Sequence, residues 1–136
     1  MPLEKIDHYS IRTLRIEETK DFYEALGLEI GPRPDFPFPG YWMYAGDMPV
    51  VHLVGFDPDN PDGLYNYLGV KDYEFPDGGG AVDHLAFRAS DPEGLKKILE
   101  DRSVSYRERE VPSLGLLQIF AEDPNKVTVE INYYEK

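Results

Sequence analysis

Three histidines and one glutamate are the residues of this chain that could do chemistry together: His8, His52, His84 and Glu130. Imidazole nitrogen and carboxylate oxygen are ligands for Zn2+, Fe2+, Mn2+, Ni2+ or Co2+. Two His and one carboxylate can form a facial triad with open positions for a substrate or for oxygen. A further His can close the shell as a fourth ligand, or move protons near neutral pH. The chain contains no cysteine, which removes disulfides, thiolate ligands and a cysteine nucleophile. The four residues have no local spacing of the zinc-finger kind, so the fold has to bring them together. A lone His in a strand is most often structural and a Glu on a strand face is usually solvated, so the case for a metal rests on where these residues fall.

They fall at matching places in an internal repeat. Ile6-Asp7-His8-Tyr9-Ser10-Ile11-Arg12 returns as Val82-Asp83-His84-Leu85-Ala86-Phe87-Arg88, at an offset of 76 residues. Both copies run apolar, Asp, His, any, small, apolar, Arg. Both alternate as a half-buried strand does. Tyr9 and Ile11 share a face, as do Leu85 and Phe87; His8, Ser10 and Arg12, like His84, Ala86 and Arg88, take the opposite one. Each of these histidines therefore lies on the less apolar face of its strand. The frames Val50-Val51-His52-Leu53 and Thr128-Val129-Glu130-Ile131 also agree, so each half offers one candidate ligand from its first strand and one from its last.

The elements between them repeat as well. A strand over about residues 4–13 is followed by a helix over 17–27, with acids in its first turn, a Phe22, Ala25, Leu26 stripe and Gly27 as its stop. Leu28–Ile30 reads as a short strand. Residues 31–40 hold four prolines and read as a loop. Tyr41–Ala45 and Val50–Val54 read as strands. In the second half, Asp91 is placed to cap a helix that has Pro92 at its first position and a Leu95, Ile98, Leu99 stripe. Strands over Val104–Arg107, Leu116–Ala121 and Val127–Tyr133 complete the chain. This predicts one α+β domain over 1–136: module one 1–55, a connector 56–80 and module two 81–136. Each sheet would have an apolar face covered by its helix, and the opposite faces would line a shared cavity. The connector carries Tyr65, Tyr67, Tyr73 and Phe75 and reads either as a solvated linker or as a segment that folds over a pocket.

Composition bounds the function. With 14 basic against 26 acidic residues the net charge is −12, which disfavours nucleic acid as a partner. No apolar run approaches a membrane span, and no signal peptide is evident, so a cytoplasmic location is expected. Arg12 and Arg88 share the parity of the histidines and could hold a carboxylate or phenolate, or be exposed at strand ends. Trp42 shares the parity of Tyr44, as a wall of a cavity or as core. Arg107 and Arg109 read as surface.

The chain resembles the vicinal-oxygen-chelate superfamily, which includes glyoxalases, fosfomycin-resistance transferases, bleomycin-resistance proteins, methylmalonyl-CoA epimerases and extradiol dioxygenases. The resemblance rests on Asp7-His8, on Asp21-Phe22-Tyr23 with Leu26-Gly27-Leu28, on Asp83-His84-Leu85-Ala86-Phe87, and on Glu122-Asp123-Pro124-Asn125 running to Val129-Glu130. It covers nearly the whole chain. It implies paired βαβββ modules forming a cupped mixed sheet around a metal, with His8, His84 and Glu130 at the three common ligand positions. His52 falls where glyoxalases place a Glu and epimerases a Gln, so it is expected as a fourth ligand or as the acid and base. The implied function is metal-dependent chemistry on a small-molecule substrate held through vicinal oxygens: isomerase or lyase chemistry of the glyoxalase kind, or ring cleavage by an extradiol dioxygenase, which implies a Tyr or His beside the substrate, with Tyr44, Tyr41 and Tyr133 as candidates. A non-catalytic drug-binding protein of the bleomycin-resistance kind is the alternative. A homodimer is implied in either case.

Overall fold

The computed structural model describes residues 2–135. It is an α+β chain of two four-stranded mixed sheets and three α-helices, in which the order β-α-β-β-β occurs twice. The chain divides into two compact units, residues 1–75 and 76–136.

In the first unit the order is β1 (Tyr9–Arg12), α1 (Ile16–Ala25), β2 (Glu29–Gly31), β3 (Gly40–Ala45), β4 (Met48–Val54) and α2 (Pro61–Leu68). The sheet order is β1-β4-β3-β2, with β1 parallel to β4 and the other pairs antiparallel. The core lies on the sheet face that α1 covers. Ile11, Met43, Val51 and Leu53 meet Phe22 and Tyr23 there, all buried. Burying apolar area at roughly 25 cal/mol per Å² is what holds the helix down, since α1 has no side-chain N-cap. The buried stripe of α1 is Thr19, Phe22 and Tyr23. Ala25 and Leu26, expected in that stripe, are only half-buried.

β4 begins at Met48, earlier than expected, because the register slips opposite Met43 and Tyr44. Such a bulge lets a proline sit inside a paired strand, and Pro49 does so. The predicted loop between Gly31 and Gly40 is present. Residues 56–80, expected without regular structure, contain α2. Pro61 opens it, Gly69 ends it in the left-handed region at φ 71°, and Leu64 is fully buried beneath it.

The second unit consists of β5 (Leu85–Arg88), α3 (Pro92–Asp101), β6 (Tyr106–Val111), β7 (Leu116–Glu122) and β8 (Thr128–Tyr134). Its sheet order, β5-β8-β7-β6, and its single parallel pair, β5 with β8, repeat those of the first. Asp91 caps α3 by accepting from the Gly94 N–H at 3.1 Å, and Leu95 and Leu99 are buried under it. β6 starts later than expected, at Tyr106.

β1 and β5 are shorter than the sequence pattern predicts. Ile6 is 90% exposed and Val82 50%, so these apolar positions meet no core. His8 and His84 consequently stand one residue ahead of their strands, and only His52 of the three lies within one. Among the described residues no helix is long and apolar enough to cross a membrane.

Candidate functional site

Register places His52 in a row with Ser10 on one side and Trp42 on the other. Residues directly opposite one another across a sheet share a face, so the Trp42 indole can lie on the His52 ring. Their centroids are 4.0 Å apart and their planes 9° from parallel. His8 covers the other side of His52, 3.7 Å away at 13°. The result is a three-ring stack: Trp42, His52, His8. His52 is 9% exposed, and its Nε2 is buried without a hydrogen-bond partner. Burial, and then the nearby His8 ring, push its pKa below the ordinary histidine value, while the Pro49 carbonyl pulls the other way. His52 is therefore neutral at pH 7.

His8 is more open. Its Nδ1 lies 2.6 Å from a carboxylate oxygen of Asp7, and that bond holds the Asp7 carboxyl below its usual range. An Nδ1–H donated to a carboxylate leaves Nε2 with its lone pair free. His8, His52 and Trp42 line a cavity of about 420 Å³ in the first unit, closed on other sides by Arg33, Phe36 and Tyr67. Tyr67 and Tyr73 come from the segment 56–80, so within this unit that segment does cover a pocket.

In the second unit Glu130 sits between Ala86 and Phe120, as His52 sits between Ser10 and Trp42. His84 Nδ1 lies 2.8 Å from Asp83, repeating the first pair. Its Nε2 is 3.5 Å from Glu130 Oε1. The other oxygen, Oε2, accepts from Asn132 at 3.0 Å, and Asn132 Oδ1 accepts from Gln118 at 3.1 Å. Glu130 is thus oriented by an amide chain with one oxygen turned to His84. A wider cleft of about 800 Å³ lies beside it, where Arg107 stacks on Phe120 at 4.3 Å.

The remaining candidates are tied to their own units. Arg12 donates to the Glu74 carbonyl at 3.2 Å and lies over the Tyr73 ring. Arg88 lies over Tyr134. The Tyr44 ring crosses Gly31, and its hydroxyl donates to the Pro32 carbonyl. Tyr41 donates to Glu17. Tyr133 is buried among the apolar side chains of β8, and burial pushes its phenol up to about 12. Trp42 is half-buried at the cavity wall. Sequence reasoning missed the orienting role of Asp7 and Asp83, though both repeats print the Asp-His dipeptide. It also missed Arg33, Phe36 and Phe38, whose signal was an Arg flanked by aromatics in a proline-rich loop.

These donors fit a divalent metal in part. His84, with its proton held on Nδ1 by Asp83, turns an Nε2 lone pair toward a carboxylate oxygen at 3.5 Å. Two acceptors so placed call for a positive charge, whether a proton or a metal ion. His8 has the same tautomer and a free Nε2. His52 does not fit beside His8 as a co-ligand in the stacked arrangement. An ion bound by two imidazoles lies in both ring planes at about 2 Å, and planes stacked 3.7 Å apart at 13° do not meet at that distance. Among the described residues no group of three or more His, Asp or Glu side chains forms a ready-made metal cage.

The family model of the Glyoxalase/Bleomycin resistance protein/Dioxygenase superfamily matches residues 5–131. The chain belongs to that superfamily. A glyoxalase family protein from Bacillus anthracis has the same fold at a TM-score of 0.67 and 19% identity, covering 99% of this chain and 98% of its own. The fosfomycin resistance protein FosX from Listeria monocytogenes superposes at a TM-score of 0.69 with 10% identity, over 98% and 96% of the two chains. An antibiotic binding protein from a Streptomyces species does so at 0.62 with 20% identity, over 99% of each. No curated protein matches by sequence. The superfamily contains both enzymes and non-catalytic binding proteins, and the likenesses place this chain by fold.

Proposed function

We propose that this superfamily member is a metal-dependent enzyme that binds a small substrate through vicinal oxygens. His8, His84 and Glu130 are the proposed ligand residues for a divalent metal, Fe2+, Zn2+, Mn2+, Ni2+ or Co2+. The observation that carries the reading is the doubled Asp–His pair. Each carboxylate fixes its imidazole with Nε2 as the free donor, and in the second unit that donor faces an oxygen of Glu130. An ion so held would supply Lewis acidity toward an enolate or, as Fe2+, reactivity toward oxygen. The chain's own residues do the rest. Asp7 and Asp83 orient the imidazoles, Asn132 fixes the carboxylate, and Trp42 holds the ring of His52. His52 is neutral and has an unpartnered Nε2, which suits a proton acceptor better than a fourth ligand. The reaction is then of the isomerase or lyase type, or extradiol ring cleavage. A homodimer is the proposed assembly.

The test is metal content. Purified protein is expected to carry about one divalent ion per chain, with His8→Ala and Glu130→Ala each reducing it to background. Unchanged occupancy in both variants would overturn the assignment. Oxygen uptake on catechols then separates ring cleavage from isomerisation. A second reading is favoured by the aromatic cavity of the first unit: a non-catalytic protein that sequesters a drug-like molecule. The Streptomyces fold neighbour, an antibiotic binding protein, suits it. Wild-type protein that binds no metal yet holds aromatic ligands would establish it.

A further inference from the structure

The cavity of the first unit contains a cation with no role in the metal reading. Arg33 is half-buried at its wall, with the guanidinium over the rings of Phe36 and Phe38, 5.1 and 5.2 Å from their centroids. Its Nη2 donates to the Phe38 carbonyl at 2.8 Å. Gly40 leaves room for this placement: a Cβ there would lie 3.0 Å from Nη2 and run into the Leu53 carbonyl. A guanidinium carries five N–H donors, and among the described residues this one donates only to the Phe38 carbonyl.

The surroundings make that unusual. The chain has 26 carboxylates against 14 basic side chains. Lys20 reaches three of them and Lys96 two. Among the described residues none pairs with Arg33. Asp35 is near enough to be felt electrostatically but forms no ion pair, and burial lowers the guanidinium pKa without discharging it. Asp7, the carboxylate at the cavity wall, is engaged by His8. Most of the remaining lining is flat rings, with Leu53, Val54 and Leu68 between them. Phe36 and Phe38 stack at 5.1 Å, Tyr67 leans on them at 4.9 and 5.0 Å, and Trp42 lies on His52.

A partly desolvated guanidinium with unused donors selects an anion, and it matches the two oxygens of a carboxylate. Ring walls select a planar hydrophobic body. We infer that this cavity takes a planar aromatic anion, an aryl carboxylate in its simplest form, with the charged group on Arg33 and the ring against Trp42, Phe36 and Tyr67. The inference names a substrate class for the proposed function and rests on that reading for placing the reacting end at His8 and His52.

Trp42 is the single tryptophan of the chain, so its indole N–H resonance is an unambiguous probe. Chelator-treated protein is titrated with benzoate, with neutral benzamide, and with non-aromatic cyclohexanecarboxylate. Benzoate is expected to shift the resonance saturably, and the other two to bind at least about tenfold more weakly, as expected when a buried charge partner or a stacking face is missing. Arg33→Leu should lose the preference for benzoate over benzamide, and Arg33→Lys should restore part of it. If the leucine variant does not fold, the lysine variant carries the test, since a point charge without the planar fork should weaken benzoate alone. Equal affinity for benzoate and benzamide, no shift with benzoate, or unchanged benzoate binding in both variants would overturn the inference. Metal content keeps the two readings apart. Protein without metal but with Arg33-dependent benzoate binding removes the metal assignment alone. Protein that purifies with metal but, once chelator-treated, is blind to benzoate removes this one alone.

Discussion

The Asp–His pairs and Tyr133 show how much a side chain's setting changes its acid–base behaviour. Asp7 is exposed, and the bond from His8 stabilises its charged form. Tyr133 is buried among Val129, Ile131 and other apolar side chains, and burial stabilises its neutral form up to about pH 12. In the unfolded chain the phenol returns to its ordinary value of 10. Above pH 10 the unfolded state therefore releases a proton that the folded state keeps. Stability from this group is complete below pH 10 and is lost as pH rises toward 12, by about 3 kcal/mol in all. Tyr133→Phe lacks the titrating proton. Denaturant unfolding at a series of pH values should show the wild type falling relative to this variant only above pH 10. Tyr41 and Tyr106 are raised as well, by their bonds to Glu17 and Glu100, but they are common to both proteins and cancel. Parallel stability curves across that range would refute the account.

At the scale of elements, α2 is the one the sequence hides and the one the cavity needs. Its sequence, Pro-Asp-Gly-Leu-Tyr-Asn-Tyr-Leu, carries a helix-weakening glycine in the first turn, within a run of Asp, Asn and Pro. Tertiary contact overrides that propensity. Leu64 is fully buried, and Gly63 approaches the Pro37 carbonyl so closely that a Cβ would collide with it. Gly63→Ala therefore sets two effects against each other. Helix propensity alone would stabilise by about 1 kcal/mol, while displacing a packed backbone costs about 1–3 kcal/mol. The collision should win, lowering the denaturant midpoint and weakening benzoate binding through Tyr67; a raised midpoint would show that α2 packs less tightly than this. α3, by contrast, is legible from the sequence because its signals are local: Asp91, Pro92 and the Leu95 and Leu99 spacing. The equivalence of His52 and Glu130 is legible from the matching frames around them, and register places each in the centre of its row. Arg33 is not legible. Nothing in a proline-rich loop says that a guanidinium will fold back onto Phe36 and Phe38 over a glycine.

For the whole molecule, duplication explains the architecture, and charge sets the conditions under which it is stable. The two copies reproduce sheet order and the parallel pair, which are set by patterning and turn chemistry, and the Asp–His dipeptide is kept by residue identity. The net charge of −12 acts against the compact state through self-repulsion. Attraction opposes it mainly in surface clusters, Lys20 with Glu17, Asp21 and Glu24, and Lys96 with Glu93 and Glu108. Exposed pairs of this kind contribute little and are screened by salt. With 26 acids and 14 bases, like-charge pairs outnumber these contacts, so screening removes more repulsion than attraction. Raising sodium chloride from about 10 mM, where the Debye length is about 30 Å, to about 1 M, where it is about 3 Å, should raise the thermal midpoint by about 3 °C or more. The same change should leave the Arg33-dependent preference for benzoate over benzamide largely in place, because that contact is partly buried and screened less. A midpoint that falls with salt would mean that the lysine-centred clusters outweigh the excess negative charge.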